Sequence, residues 1–190
     1  MKNLILILTL ILSGCVLKQE SKIQNIVLKS DENLSLSYKK SDKILKIKKA
    51  SLPLYLNSRF ISYQKNGFYD KYAYYLWGDL PSNLYVNLLF SKLEKSEIFK
   101  AVISQESALQ SDFVLESRID CFEQILNEKE NLVKISLSVN FINSYRNQII
   151  AHKNFTIKEN IKDKNDTFRA FDRALNKIAN EIILWLSLNL

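Results

Sequence analysis

Leu132-Val133-Lys134-Ile135-Ser136-Leu137-Ser138-Val139-Asn140-Phe141 decides the fold. Val133, Ile135, Leu137, Val139 and Phe141 are apolar, and polar or small residues separate them from Val133 onward. A period of two puts alternate side chains on opposite faces, which is the pattern of a half-buried strand. The strand is expected over residues 132–144. Downstream, 145–147 read as a turn, and 148–157 return through Ile150, Phe155 and Ile157. Upstream, 127–131 form a charged turn. Residues 113–124 make a third long strand, with Phe113, Leu115, Ile119 and Cys121 expected to alternate inward. Three strands joined by short polar turns form an antiparallel meander.

Helical spacing appears on both sides of this meander. From 166 to 188, Phe168, Phe171, Leu175, Ile178, Ile182 and Trp185 step by three and four, an amphipathic stripe. Asp166 or Thr167 is placed to cap it. Lys177, Asn180 and Glu181 interrupt its apolar character, which argues for a docked helix rather than a membrane span. Between 82 and 95, Leu84, Leu88 and Leu93 form a second stripe, widened by Tyr85 and Leu89. It follows Trp77-Gly78-Asp79-Leu80-Pro81, where Asp79 is a candidate cap and Pro81 suits a helix start.

Shorter strands are expected over 43–48, 59–64, 68–75 and 98–102. Asn66-Gly67 is a hairpin turn signal between the second and third of these. Pro53 suits the first turn of a short helix. An edge strand over 22–29 and a polar loop over 30–41 precede them. The fold class is therefore α/β in the broad sense, α+β in detail. It is a single compact domain over 42–190, a mixed, mostly antiparallel β-sheet with helices packed on it and a C-terminal amphipathic helix.

The start of the chain reads differently. Met1, Lys2 and Asn3 precede an apolar run over 4–12, followed by Ser13, Gly14 and Cys15. One charge, a short apolar core and small residues make a secretory signal. A helix of that run spans only about 13 Å, against a hydrocarbon core of about 30 Å, so it does not serve as a stable spanning anchor. Leu12-Ser13-Gly14-Cys15 resembles the lipobox of bacterial lipoproteins. The resemblance implies cleavage between Gly14 and Cys15, diacylglycerol on the Cys15 thiol and an acyl chain, such as palmitate, on the new amino terminus. An ordinary signal ending at a cysteine is the alternative, with a poor small-x-small site. Several acyl chains, at about 0.8 kcal/mol per buried CH₂, hold a protein durably on a membrane. The organisation is then a signal peptide over 1–14, a lipidated tether and edge strand over 15–41, and the domain over 42–190. Val16 follows the cysteine, and by resemblance to bacterial sorting rules the lack of Asp there favours the outer membrane.

The chain of 190 residues carries a formal net charge of +7. Its lysines are dispersed among Asp and Glu, so no nucleic-acid partner is expected. Cys15 and Cys121 are its two cysteines. With Cys15 lipidated, Cys121 is a lone thiol, expected to be buried and inert. The one histidine, His152, is expected to face solvent from a strand rather than act as a base. Glu94 with Glu97, and Glu128 with Glu130, read as solvated charges rather than an acid–base pair. Three glycines leave no phosphate loop, and no Cys/His cluster offers a metal site. No catalytic residue, metal or cofactor is expected beyond the covalent lipid on Cys15. Aromatic residues crowd 60–77, a core stripe with an exposed share suited to a lipid or partner surface.

The order of these parts resembles a known family. A lipobox is followed by a strand into Ser51-Leu52-Pro53-Leu54-Tyr55-Leu56, then aromatics into Tyr74-Tyr75-Leu76-Trp77-Gly78-Asp79-Leu80-Pro81. A helix, Phe99-Lys100-Ala101-Val102, the meander and a terminal helix complete it. The whole resembles the ABC-type transport auxiliary lipoprotein family, the PqiC-like partners of MCE-domain lipid transporters. Gly78 stands where that family usually has alanine. The resemblance implies a non-enzymatic, periplasm-facing, outer-membrane-anchored accessory of an ABC transporter with an MCE partner, with a ring of identical subunits as a further implication. Trp77, Asp79 and Pro81 are expected to fix the strand-to-helix corner, with a partner contact as the alternative. A different reading is an outer-membrane lipoprotein for envelope assembly or secretion, docking on a barrel or secretin.

Overall fold

The computed structural model describes residues 22–31, 38–163 and 165–190. Eight strands form one mixed sheet. In chain order they are β1 (Gln24–Ile26), β2 (Ile44–Ile47), β3 (Phe60–Lys65), β4 (Phe68–Trp77), β5 (Ala101–Ser104), β6 (Phe113–Leu126), β7 (Asn131–Asn143) and β8 (Gln148–Asn160). Helix α1 (Pro81–Ser96) lies between β4 and β5, and helix α2 (Thr167–Ser187) ends the fold. Pro53 precedes a single 3-10 turn, Leu54–Leu56.

The expected meander is present: β6, β7 and β8 pair antiparallel over nearly their full lengths. The other side of β6 is shared end to end by two short parallel partners. β2 pairs with its first residues, Leu45 opposite Phe113, and β3 with its last, Tyr63 opposite Gln124. Ser51 bridges to Arg118 between them. β5 flanks β2 in parallel, β4 flanks β3 antiparallel, and β1 lies parallel on β4 as an edge. The long pairings are thus antiparallel and the parallel ones short.

The core forms where α1 and α2 cover one face of this sheet. Val133, Ile135, Leu137, Val139 and Phe141 of β7 are at most 1 % exposed, so the alternation in the sequence marks the helix-covered face. Phe171, Leu175, Ile178 and Ile182 of α2 are fully buried. Burying a side chain of this size contributes about 1.5–3 kcal/mol. One buried polar pair is satisfied within this layer: the Tyr85 hydroxyl of α1 lies 2.9 Å from Ser117 Oγ of β6.

Three local expectations are corrected. Ile98 and Phe99 are buried but precede β5, which begins at Ala101. Asp166 occupies the N-cap position of α2 without a side-chain cap bond. Its carboxylate instead accepts from Arg173 Nη1 and Nη2, at 2.9 and 2.8 Å, and from the Lys162 amide. A guanidinium fork holds a carboxylate more strongly than one helix amide does. Cys121 does not share the inward face of Ile119. A bulge between them puts Ile119 opposite Leu137 but Cys121 opposite Ser136. The extra residue reverses the facing, so Phe122 enters the core and Cys121 turns to the other side.

Candidate functional site: the Trp77 corner and the N-terminal strap

Trp77 ends β4 and is fully buried. Its ring meets Phe171 edge-on at 4.9 Å between centroids and Phe122 at 5.5 Å. Such edge contacts match the positive rim of one ring to the negative face of another. The Trp77 amide donates to the Arg59 carbonyl at 2.7 Å, and Arg59 Nε donates back to the Trp77 carbonyl at 2.7 Å. Asp79 does not cap α1, whose N-cap is Leu80. Its Oδ1 accepts from the Leu80 amide at 2.7 Å and from Asn83 Nδ2 at 2.9 Å, closing the turn ahead of the helix. Pro81 takes the first helical turn, where its missing N–H costs nothing. All three residues are engaged in shaping the corner.

A strap of chain crosses this corner. The Gly78 amide donates to the Ile26 carbonyl at 2.7 Å, and Arg59 Nη2 reaches Asn25 Oδ1 at 2.6 Å. Past β1, the side chains of α2 take over from the sheet. The Lys29 amide donates to Asp172 Oδ1 at 2.7 Å. Asn176 accepts from the Asp31 amide at 2.9 Å and donates to the Lys29 carbonyl at 2.8 Å. Asp31 in turn pairs with Lys92 of α1, which also donates to Asn180 at 2.9 Å. Lys92 is fully buried, and its ammonium ties α1, α2 and the strap together. Desolvation raises the pKa of Asp172 above the usual carboxylate value, against the opposing pull of the Lys29 amide. The 22–29 edge strand expected from sequence pairs with the sheet only over Gln24–Ile26. Asp172 and Asn176 were not singled out in the sequence, and Asn180 was read only as a polar interruption of the apolar stripe. Their spacing of four along an apolar helix was the available signal, since it aligns three polar groups on one face.

The remaining candidates do not assemble. His152 is exposed on β8, with Nδ1 2.7 Å from Asn140 Oδ1. Cys121 lies opposite Ser136 and His152 opposite Asn140, about 13 Å apart along β7 at about 3.3 Å per residue. The Cys121 thiol is buried and its pKa is pushed up to about 12, first by desolvation and then by Glu123. Glu123 is 3 % exposed; Oε1 accepts from the Cys121 thiol at 3.4 Å, and Oε2 has no partner among the described residues. Burial raises its pKa. Glu97 ends α1 in a left-handed conformation and pairs with Lys40, while Glu94 lends its carbonyl to that cap. Glu130 takes part in the β6–β7 turn through Asn127. Gly14 and Cys15 lie outside the described residues.

The open face of the sheet is polar over β6–β8, with Lys48 paired to Glu116 and Arg118 to Asp120. The aromatic stretch divides. Tyr72 and Tyr75 pack on Phe168 of α2, whereas Phe60, Phe68, Tyr69 and Tyr74 are exposed. Among the described residues no group of three His, Cys, Asp or Glu side chains is placed to hold a metal, and no helix is long and apolar enough to cross a membrane.

The arrangement defines a mixed-sheet domain with two helices on one face and a strap on the edge. The same fold occurs in a Xanthomonas campestris protein of the DUF330 family, at TM-score 0.77 and 19 % identity, covering 88 % of this chain and 95 % of that one. An uncharacterised protein follows at 0.61 and 15 % identity, covering 80 % and 95 %. A hypothetical protein from Chlamydia trachomatis matches at 0.58 and 9 % identity, covering 77 % and 96 %. No family model matches the chain, and no curated protein matches it in sequence. At these identities the likeness is one of fold.

Proposed function

We propose that this chain is an outer-membrane lipoprotein, held by lipid on Cys15 and facing the periplasm, that serves as a non-enzymatic accessory of an ABC/MCE-type phospholipid transport system. The observation that carries the reading is Leu12-Ser13-Gly14-Cys15 ahead of a domain with the Ser51–Leu56 and Trp77–Pro81 segments of the transport auxiliary lipoproteins. The Cys121 thiol and the His152 imidazole lie about 13 Å apart along β7, at about 3.3 Å per residue, and do not form a pair. The membrane system is reached through the anchor and through exposed surfaces, with the MCE protein as the docking partner and identical subunits as neighbours around it.

Crosslinking of the tagged, lipidated protein in living cells, followed by mass spectrometry, tests this. Recovery of an MCE-domain protein is the expected result. Recovery of an outer-membrane barrel or a secretin in its place assigns the chain to envelope assembly or secretion and overturns the transport reading.

A further inference from the structure

Two ends of the sheet expose apolar side chains. At one, the β3–β4 hairpin presents Phe68, 79 % exposed, and Tyr69, 57 % exposed. Tyr69 lies 5.1 Å from Tyr55, and Leu54 beside it in sequence is 87 % exposed. At the other end the β7–β8 turn presents Tyr145 and, one strand position on, Ile149. Both patches exceed what scattered surface residues require.

The tether chooses between them. β1 is parallel to β4, with Gln24 opposite Tyr75 and Ile26 opposite Trp77. Tracing β1 back from Ile26 to Gln24 therefore runs the same way as tracing β4 back from Trp77 to Tyr75, toward the hairpin tip. Asn25 is level with Leu76, and Leu76 with Phe60. From Phe60 to Lys65, at the hairpin tip, β3 covers about 17 Å. The chain from Asn25 to Cys15 reaches at most about 35 Å at roughly 3.5 Å per residue. A chain of that length, extended in that direction, carries Cys15 at most about 18 Å beyond the tip, so the lipid meets the level of the tip without a turn in the tether, whereas the Tyr145 end requires the tether to turn back.

We propose that the tip of the β3–β4 hairpin, Phe68 and Tyr69 with Leu54 and Tyr55 beside them, rests in the head-group layer of the membrane that holds the Cys15 lipid. This rests on the lipoprotein reading given above. The chemistry suits that layer, where aromatic rings with one polar edge concentrate. Lys65, Lys71 and Asp70 flank the rings, and the Lys71 ammonium sits 4.4 Å over the Phe60 ring. The adjoining β6–β7 turn, bonded to the tip through the Asn66 amide, adds Glu128, Lys129 and Glu130. These charges nearly balance, so the contact depends on aromatic and apolar groups rather than on anionic lipid.

Hydrogen exchange of the full mature chain on vesicles of phosphatidylethanolamine with a minority of phosphatidylglycerol decides the matter. The reference is the acyl-free Cys15→Ser chain mixed with the same vesicles. Anchoring is expected to slow exchange several-fold over residues 64–71 and to leave 144–149 unchanged. Phe68→Ser with Tyr69→Ser removes the slowing while the circular dichroism stays that of the parent. Unchanged exchange at the tip, or slowing at 144–149 instead, overturns the proposal. The mass of the Cys15 peptide in the same samples reports acylation separately. If it is unmodified, the lipoprotein reading fails alone. The chain joined through its Cys15 thiol to a maleimide phospholipid then meets the same two outcomes.

Discussion

Gly78 and Ile26 meet backbone to backbone: the Gly78 amide donates to the Ile26 carbonyl at 2.7 Å, and a Cβ on Gly78 would stand 3.2 Å from that oxygen and 3.1 Å from Val27 Cγ2. Alanine is accommodated if Val27 and the Ile26 carbonyl each shift by a few tenths of an ångström. Its smaller unfolded-state entropy, about 0.4–1 kcal/mol, offsets the strain. Gly78→Ala is expected within about 1 kcal/mol of the parent in urea unfolding. Gly78→Leu is expected to lift β1, seen as fast exchange at the Asn25 and Ile26 amides while β6 and β7 stay protected.

Trp77 and Asp79 separate a structural corner from a contact surface. Trp77→Ala removes a fully buried ring from the Phe122–Phe171 cluster and is expected to cost about 3–5 kcal/mol. Asp79→Ala loses two local hydrogen bonds in a half-buried turn and is expected to cost about 1 kcal/mol. A stable Asp79→Ala protein that no longer recovers the partner on crosslinking would transfer Asp79 from fold to recognition.

Lys92 and Asp31 are asymmetric. The ammonium is buried, while the Asp31 side chain is half exposed. Asp31→Ala leaves the buried cation, among the described residues, with only Asn180 and is expected to cost about 2–3 kcal/mol, below the range for a fully buried pair. Lys92→Met replaces the cation by an apolar chain of similar length and is expected to cost less. Urea midpoints of the two variants check the order.

Glu123 gives a pH signature. Its folded pKa is raised, so its protonated form favours folding. That contribution is complete below the unfolded value, near 4.3, and is lost as pH rises through the folded value. Glu123→Gln is therefore expected to stabilise the protein at pH 7, by about 1 kcal/mol for a buried group with an unpaired oxygen, and to change little at pH 4. Asp166 has the opposite sign. Its pKa is held well below the carboxylate range, first by the Arg173 hydrogen bonds, so its contribution is present above about pH 4 and is lost progressively as the pH falls from there toward the folded value. Asp166→Asn is expected to narrow stability at pH 7 and converge with the parent below pH 2.

Cys121 is expected to be silent in the native state. With its pKa near 12, the thiol gives almost no thiolate at pH 8. A thiol reagent should label it only after denaturation, and one equivalent per mature chain would also agree with a blocked Cys15.

Much of the architecture was legible because period and burial coincide. The β7 alternation gave its core face outright, and the Phe168–Trp185 spacing gave the face of α2. Cys121 was misplaced because one inserted residue reverses every facing beyond it, and no residue type announces a bulge in Ile119-Asp120-Cys121. The two aspartates at the helix starts were read by position, but Asp166 found a stronger donor in Arg173 and Asp79 turned to its own loop. The strap was half legible. Its strand pattern was visible, whereas its bonds to Asp172 and Asn176 join residues more than 140 positions apart. The exposed aromatics of the hairpin share a composition with the buried ones, so only the fold could divide them.

The parallel seat of β1 bears on the mechanics of the proposed lipid anchor. A pull from the amino-terminal side along the β1 axis, toward the hairpin tip, loads the β1–β4 bonds in shear. The Lys29 and Asp31 bonds to α2 lie behind β1 on the same strap and hold its far end. An antiparallel edge entered from its turn would unzip bond by bond. Bonds loaded in shear share the pull, so under the proposed lipid anchor a three-residue strand would carry the load into the core.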